Sequence, residues 1–317
     1  MIDEFIKGRI KSLNIVSIPY NSSEILERII SEACNKKGKI LYITNEAQSD
    51  IDIIKFLNEN IKYSIYKGEA KVNSNFIISN YYYAKRLRCK FDLIIYNDIR
   101  SYPEISSFEI LDIIDLLIKS DGKILYFGVE GILRRSKNII IPVRDCRIPM
   151  FEPKIITTRV DFRKDIPFVI FEYLKWSLRY GRKVIIYTPD ADKTKSVYNY
   201  MVNYMDKLTK NIFHYTEIDK IDIVKGFAKS TKAILITDDF KELGINMQDC
   251  DIMVFFADDV IFNYKKLLFL SCKGIRYPNK YIGEVIFLSK DETDEMDRTR
   301  DLIRRFNKEA WEKGLLI

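Results

Sequence analysis

Two residues at the end of an apolar run, Asn97 and Asp98, stand where a side chain can do chemistry. Leu93, Ile94 and Ile95 precede them, and a Ser101-Tyr102-Pro103 turn follows. A buried parallel strand delivers its last side chains to the carboxyl edge of its sheet, where an acid can hold Mg²⁺ and orient water for phosphoryl transfer. Asp98 is therefore read in two ways: as a lone Mg²⁺ ligand, or as a cap for the helix after Pro103 or the partner of a neighbouring base. Ser22 and Ser23 follow Tyr20 and Asn21 at a strand-to-helix turn, where a hydroxyl can bind phosphate or simply cap the helix. That turn, residues 18–23, lacks the glycines and the lysine of a phosphate loop. A third candidate is Tyr81-Tyr82-Tyr83-Ala84-Lys85-Arg86-Leu87-Arg88, where aromatics beside cations suit stacking and phosphate contact on a single strand. The same run also reads as a solvated charged face. His214, between Phe213 and Tyr215, reads as structural.

The elements that must position these residues alternate. A β-rich run over 13–18 leads to a helix from residue 22 to about 33, capped by Asn21 or Ser22, and then a strand over 39–44. The pattern predicts a helix over 50–58, strands near 63–66 and 76–79, and a basic aromatic helix over 81–88. The central strand, a helix over 105–118 and a strand over 123–127 complete the first half. The stretch 138–153 carries Pro142, Pro149 and Pro153 with Arg144 and Arg147, and reads as a crossover linker. The boundary is placed near 150–160, giving domains 1–152 and 153–317. Helices over 166–180, 192–208, 218–228, 264–270 and 291–313 then alternate with strands over 183–187, near 212, and over 233–237, 252–256 and 284–288. Such alternation argues for two mostly parallel sheets covered by helices, in an α/β class, with a cleft between the halves.

Composition excludes several classes. A chain of 317 residues, 47% hydrophobic, can bury two medium cores. Its five cysteines form no C-x-x-C pair and it has one histidine, so neither a zinc ribbon nor a disulfide framework is expected, and no metal site is assigned. With no apolar run of membrane-spanning length and an acidic Met1-Ile2-Asp3-Glu4 start, a cytoplasmic location is expected. The net charge of +7 permits a polyanionic partner without requiring one.

Taken in order, these segments resemble the ComFA late-competence proteins, helicase-like DNA translocases of superfamily 2. The strand 91–97 with its Asn97-Asp98-Ile99-Arg100 end is similar to that family's Asp-Glu-Val-Asp motif. Ser79-Asn80-Tyr81 with Lys85-Arg86 is similar to its Thr-Thr-His-Gln strand end, and 141–149 to its proline- and arginine-bearing linker. In the second half, 234–245 is similar to the segment read as Val-Thr-Thr followed by Leu-Glu-Arg-Gly-Val, and 269–276 stands in the place of Gln-Ile-Ala-Gly-Arg-Val-Gly-Arg.

The resemblance implies two tandem RecA-like domains, with Tyr20, Asn21, Ser22, Ser23, Asn97 and Asp98 as the remnant of a nucleotide site. It implies Asn80, Lys85, Arg86, Arg88, Arg144, Arg147 and Thr237 as nucleic-acid contacts, and Asp98, Lys273 and Arg276 as catalytic remnants. The departures fall on the chemistry. The phosphate-loop lysine is gone, the acidic metal motif has become Asn97-Asp98-Ile99-Arg100, Tyr126-Phe127-Gly128-Val129 replaces the Thr-Ala-Thr-Pro coupling motif, and Leu243 replaces an arginine. Loss of a finger arginine alone can cost about 10³–10⁵ in rate. The expected function is DNA binding, single-stranded in preference, with competence-machinery proteins as partners, degenerate or absent ATPase activity and no cofactor. The alternative is an active ATP- and Mg²⁺-dependent single-stranded DNA translocase.

Overall fold

The computed structural model describes residues 1–68, 74–205, 208–216, 221–241, 250–273 and 283–316. The chain divides into two compact units, Met1–Arg147 and Ile148–Gly314, each built on its own sheet.

In the first unit the elements run α1 (Ile2–Ile6), β1 (Ser12–Ser17), α2 (Glu27–Asn35), β2 (Ile40–Thr44), β3 (Tyr63–Tyr66), β4 (Phe76–Ser79) and α3 (Tyr81–Ala84). They continue with β5 (Phe91–Asn97), α4 (Ser107–Leu117), β6 (Ile118–Gly128) and β7 (Lys137–Ile141). The sheet order is β3-β4-β2-β5-β6-β1-β7, and every pairing is parallel. β5 lies at its centre because its run of Leu and Ile suits burial on both faces; Ile94 and Ile95 are fully buried. One face packs Ile94, Tyr96 and Tyr126 against Ile110, Ile113 and Ile114 of α4. Each such aliphatic side chain contributes about 1.5–3 kcal/mol relative to exposure. Register fixes the carboxyl edge: Thr44 pairs with Asn97, Asn97 with Phe127, and Val16 with Gly128.

The second unit runs β8 (Lys154–Thr157), α5 (Phe168–Arg179), β9 (Lys183–Tyr187), α6 (Ala191–Tyr204), β10 (Ile212–Tyr215) and α7 (Ile221–Lys229). It closes with β11 (Ile234–Thr237), β12 (Cys250–Phe255), α8 (Tyr264–Ser271), β13 (Val285–Ser289) and α9 (Asp294–Glu312). Its sheet order is β10-β11-β9-β12-β13-β8, again all parallel. Leu174, Val197, Met201, Ile234 and Met253 belong to one buried cluster on this sheet. The α/β expectation of two mostly parallel sheets therefore holds. No helix among the described residues is long and apolar enough to cross a membrane.

Three local expectations are corrected. The helix expected over 50–58 is a pair of 3₁₀ turns, Gln48–Asp50 and Asp52–Lys55, separated by the extended Ile51. The Asp52 side chain is drawn inward to a backbone N–H of residue 23, and a regular helix would have turned it elsewhere. The basic aromatic helix stops at Ala84 rather than 88; Arg86 and Leu87 donate to residues three back, a tightened exit turn. The first part of the expected linker is the edge strand β7, whose Asn138, Ile139 and Ile140 pair with Asn14, Ile15 and Val16. Its isoleucines favour a pleated, half-buried surface over a free connection.

Candidate nucleotide and nucleic-acid sites

The loops after β1, β2 and β5 meet at the carboxyl edge of the first sheet. In the turn after β1, Tyr20 takes a left-handed conformation, with φ +61°. Its N–H donates to the Ile99 carbonyl at 2.8 Å, which ties the turn to the end of the central strand. The next amides are also engaged. Ser22 donates to Asn21 Oδ1 (3.0 Å), Ser23 to Asp52 Oδ2 (2.9 Å) and Glu24 to Ser22 Oγ (3.2 Å). The carbonyls of the same turn take arginines. Pro19 accepts Arg144 Nε (3.0 Å) and Nη2 (2.7 Å), and Tyr20 accepts Arg100 Nη1 (3.0 Å). A phosphate loop aims its amides at an anion, whereas this turn presents carbonyls to cations.

Arg100 is the hub. Its Nε donates to Glu46 Oε1 at 3.2 Å, and Nη2 lies 3.4 Å from Asp52 Oδ1. Glu46 Oε1 also accepts the Asp52 N–H at 3.2 Å, and its Oε2 accepts the Thr44 hydroxyl at 3.0 Å. Both carboxylates are buried, so the pair is stable only while the guanidinium stays. Burial raises the Glu46 carboxyl above its ordinary value, and Arg100 pulls it only part of the way back. The Tyr42 hydroxyl is likewise pushed up by burial and then by Glu46.

Asn97 and Asp98 are bound inward. Asn97 Nδ2 donates to Tyr42 Oη (2.5 Å) and Ser23 Oγ (3.1 Å), while Oδ1 accepts the Ile99 N–H (3.2 Å). Asp98 Oδ2 accepts the Tyr126 hydroxyl at 2.9 Å. The helix after Pro103 is capped instead by Ser106, in a reciprocal capping box with Glu109. The cap for α2 differs as well, since neither Asn21 nor Ser22 lies at its N-terminus. Asn21 bridges Ser17 Oγ (2.8 Å) and the Val143 carbonyl (3.0 Å), and a 3₁₀ turn, Glu24–Leu26, leads into the helix. Gly128 leaves the room that the Tyr126 side chain fills, because a Cβ there would overlap both its ring and its hydroxyl.

The expected nucleic-acid residues divide into exposed and structural sets. Asn80 caps α3, accepting the Tyr83 N–H at 2.8 Å. Lys85, Arg86 and Arg88 are exposed. Lys85 Nζ lies 4.3 Å over the Tyr81 ring and Arg86 5.6 Å over Tyr83, while Tyr82 is 57% exposed. Hydrogen bonding to Tyr81 raises the Lys85 ammonium above its usual value. Because β4 ends at the carboxyl edge, α3 presents these groups on the same side of the sheet as the closed turn. Arg147 is exposed and left-handed (φ +52°), but Arg144 is committed to the Pro19 carbonyl.

In the second unit, Thr237 is fully buried and its Oγ1 accepts the Asp239 N–H at 3.0 Å. Lys273 is buried and donates to the carbonyls of Phe240 and Lys241. Arg276 and Leu243 lie outside the described residues. The carboxyl edge here is acidic: Asp190 and Asp259 share Lys193, at 2.5 and 3.1 Å. Burial, then the charge of Asp239, raises the nearby Asp238 carboxyl. His214 packs its ring 5.3 Å from Tyr198. No group of three or more metal-ligating side chains occurs among the described residues.

No family model matches the chain, and no curated protein matches it. Solved structures do match. One is the fragment structure of a putative HsdR subunit of a type I restriction enzyme from Vibrio vulnificus YJ016, with a TM-score of 0.55 and 14% identity. The match covers 91% of this chain, and the chain spans 62% of that one. The likeness is one of fold, two mostly parallel α/β sheets in tandem. In all, 323 solved chains match, and a fold so widely shared does not select a reaction.

The residues that dominate the first unit's edge, Glu46, Asp52 and Arg100, were not singled out by sequence. Arg100 carried a signal, a cation where a metal motif needs an acid. Glu46 and Asp52 carried none, since only the fold brings them to Arg100.

Proposed function

We propose that the protein is a nucleic-acid-binding, helicase-like scaffold that neither holds nor hydrolyses ATP. The observation carrying this is the turn after β1, where the amides of residues 20, 22, 23 and 24 are already bonded and Asp52 puts a negative charge at the helix entrance. A Mg²⁺-bound triphosphate does not fit these residues. It would meet an anion in place of a lysine, and Asp98 already spends one carboxylate oxygen on the Tyr126 hydroxyl. The ligand we propose is single-stranded DNA, contacted by Lys85, Arg86 and Arg88 and stacked on Tyr82. The exposed Tyr82 ring on the same short segment as the exposed Lys85, Arg86 and Arg88 supports this, because stacking tolerates any base and the cations meet the backbone. The ComFA-like order of sequence motifs supports a place in DNA uptake beside other competence proteins.

The test is a titration with a fluorescent oligonucleotide at two ionic strengths, beside ATPase assays with and without that DNA. The reading expects salt-dependent binding and no stimulated hydrolysis. DNA-stimulated ATP turnover abolished by Asp98→Ala would overturn the inactive site. Absence of salt-dependent binding would overturn the nucleic-acid role.

A further inference from the structure

A second site lies at the opposite, amino-terminal edge of the first sheet. There the chain forms a partly open cavity of about 110 Å³. Phe5 of α1, Ile29 and Ala33 of α2, Ile40 of β2 and Leu93 of β5 wall it with apolar surface. Lys123 of β6 and Lys36, just past α2, line the same space. Lys123 Nζ donates to the carbonyls of Phe5 (2.9 Å) and Ile6 (3.0 Å), and Lys36 Nζ donates to Ile6 (3.2 Å).

Two ammonium groups thus converge on one carbonyl oxygen. Among the described residues, neither has a carboxylate within ion-pairing distance. Asp92, on the same wall, is engaged by Lys119 Nζ at 2.7 Å and by the Lys39 N–H at 2.8 Å. Glu32 is the other acid on the wall, so two cations still outweigh it. Burial, then the charge of Lys36, holds the Lys123 ammonium below its usual value, the mark of a cation short of an anion. A water-sized group needs about 10–15 Å³ of such volume, so the cavity of about 110 Å³ admits roughly 7–11 non-hydrogen atoms.

We propose that this cavity binds a small amphipathic carboxylate, an aliphatic acid between hexanoic and octanoic in length. Its chain lies against Phe5, Ile29 and Ala33, and its carboxylate meets Lys36 and Lys123. The site is independent of nucleic-acid binding at the other edge and stands whether or not that reading holds.

Calorimetric titration of the full chain with octanoate, octanol and octylamine tests this. Octanoate should bind about 10-fold tighter than octanol, with octylamine weakest, because charge-assisted hydrogen bonds act on the carboxylate alone. The double variant Lys36→Met, Lys123→Met should weaken octanoate to the level of octanol while leaving octanol within about 2-fold of its original affinity. Ala33→Phe should remove both. Equal affinity for octanoate and octanol, no saturation by octanoate, or octanoate binding unchanged in the methionine variant would overturn the proposal. Should the methionine variant lose both ligands, the double arginine variant decides: octanoate binding retained supports the site, and its disappearance overturns it.

Discussion

The Asp52 carboxylate accepts the Ser23 backbone N–H at 2.9 Å, at the turn where a phosphate site leaves that donor for its ligand. Arg100 balances that charge and holds the turn by the Tyr20 carbonyl, so the edge is closed by its own side chains.

Arg100→Ala should destabilise the first unit by about 3 kcal/mol or more, since it strands two buried carboxylates. Arg100→Lys should recover only part of that, because an ammonium lacks the planar fork that reaches Glu46, Asp52 and Tyr20 together. Urea denaturation of the two variants measures both effects. An Arg100→Ala protein as stable as the parent would show that the guanidinium does not hold the turn.

Glu46 sets a pH dependence with a definite sign. Its folded value lies above the ordinary 4.5, so folding favours the protonated carboxyl. The stability it contributes is fully present below pH 4.5 and is lost as pH rises through the raised folded value. Relative to Glu46→Gln, the parent should therefore lose stability across that window and then level off. Denaturation midpoints of both proteins between pH 4 and 8 check the trend, and a parent that gains on the variant as pH rises would refute it.

Gly128→Ala should cost about 1–3 kcal/mol, because the added methyl overlaps Tyr126, whose hydroxyl bonds Asp98. The ring must shift and the bond to Asp98 lengthen. Thermal melts report the cost, and a melting temperature equal to the parent's would mean that Tyr126 moves without penalty.

The double variant Lys85→Ala, Arg86→Ala should fold like the parent, since both side chains are exposed. Its DNA affinity should fall alike across oligonucleotide sequences. The slope of log affinity against log salt should shrink by about 1.4, near 0.7 for each cation withdrawn from a single-strand phosphate. An unchanged slope would place the DNA backbone away from α3.

The sheets were legible in the sequence because their signal is local. The Leu-Ile run before Asn97, the restart of alternation after the prolines, and caps such as Asp190, whose side chain accepts the Lys193 N–H at 2.8 Å, each act over a few residues. The misread elements are those where a distant partner overrode local preference. The segment 50–58 has helical periodicity, yet Asp52 is held by an N–H 29 positions away, and the isoleucines of β7 find a strand where prolines suggested a connection. At the candidate site, sequence alone determined what is missing: the glycines, the lysine and two acids of the metal motif. It could not say what fills their place, because Arg100 finds Glu46 54 residues away, and only the folded sheet brings the ends of β1, β2 and β5 to one edge. Residue types are local facts, whereas the pairing of buried charges is a property of tertiary contact, and here that pairing decided what the turn after β1 can hold.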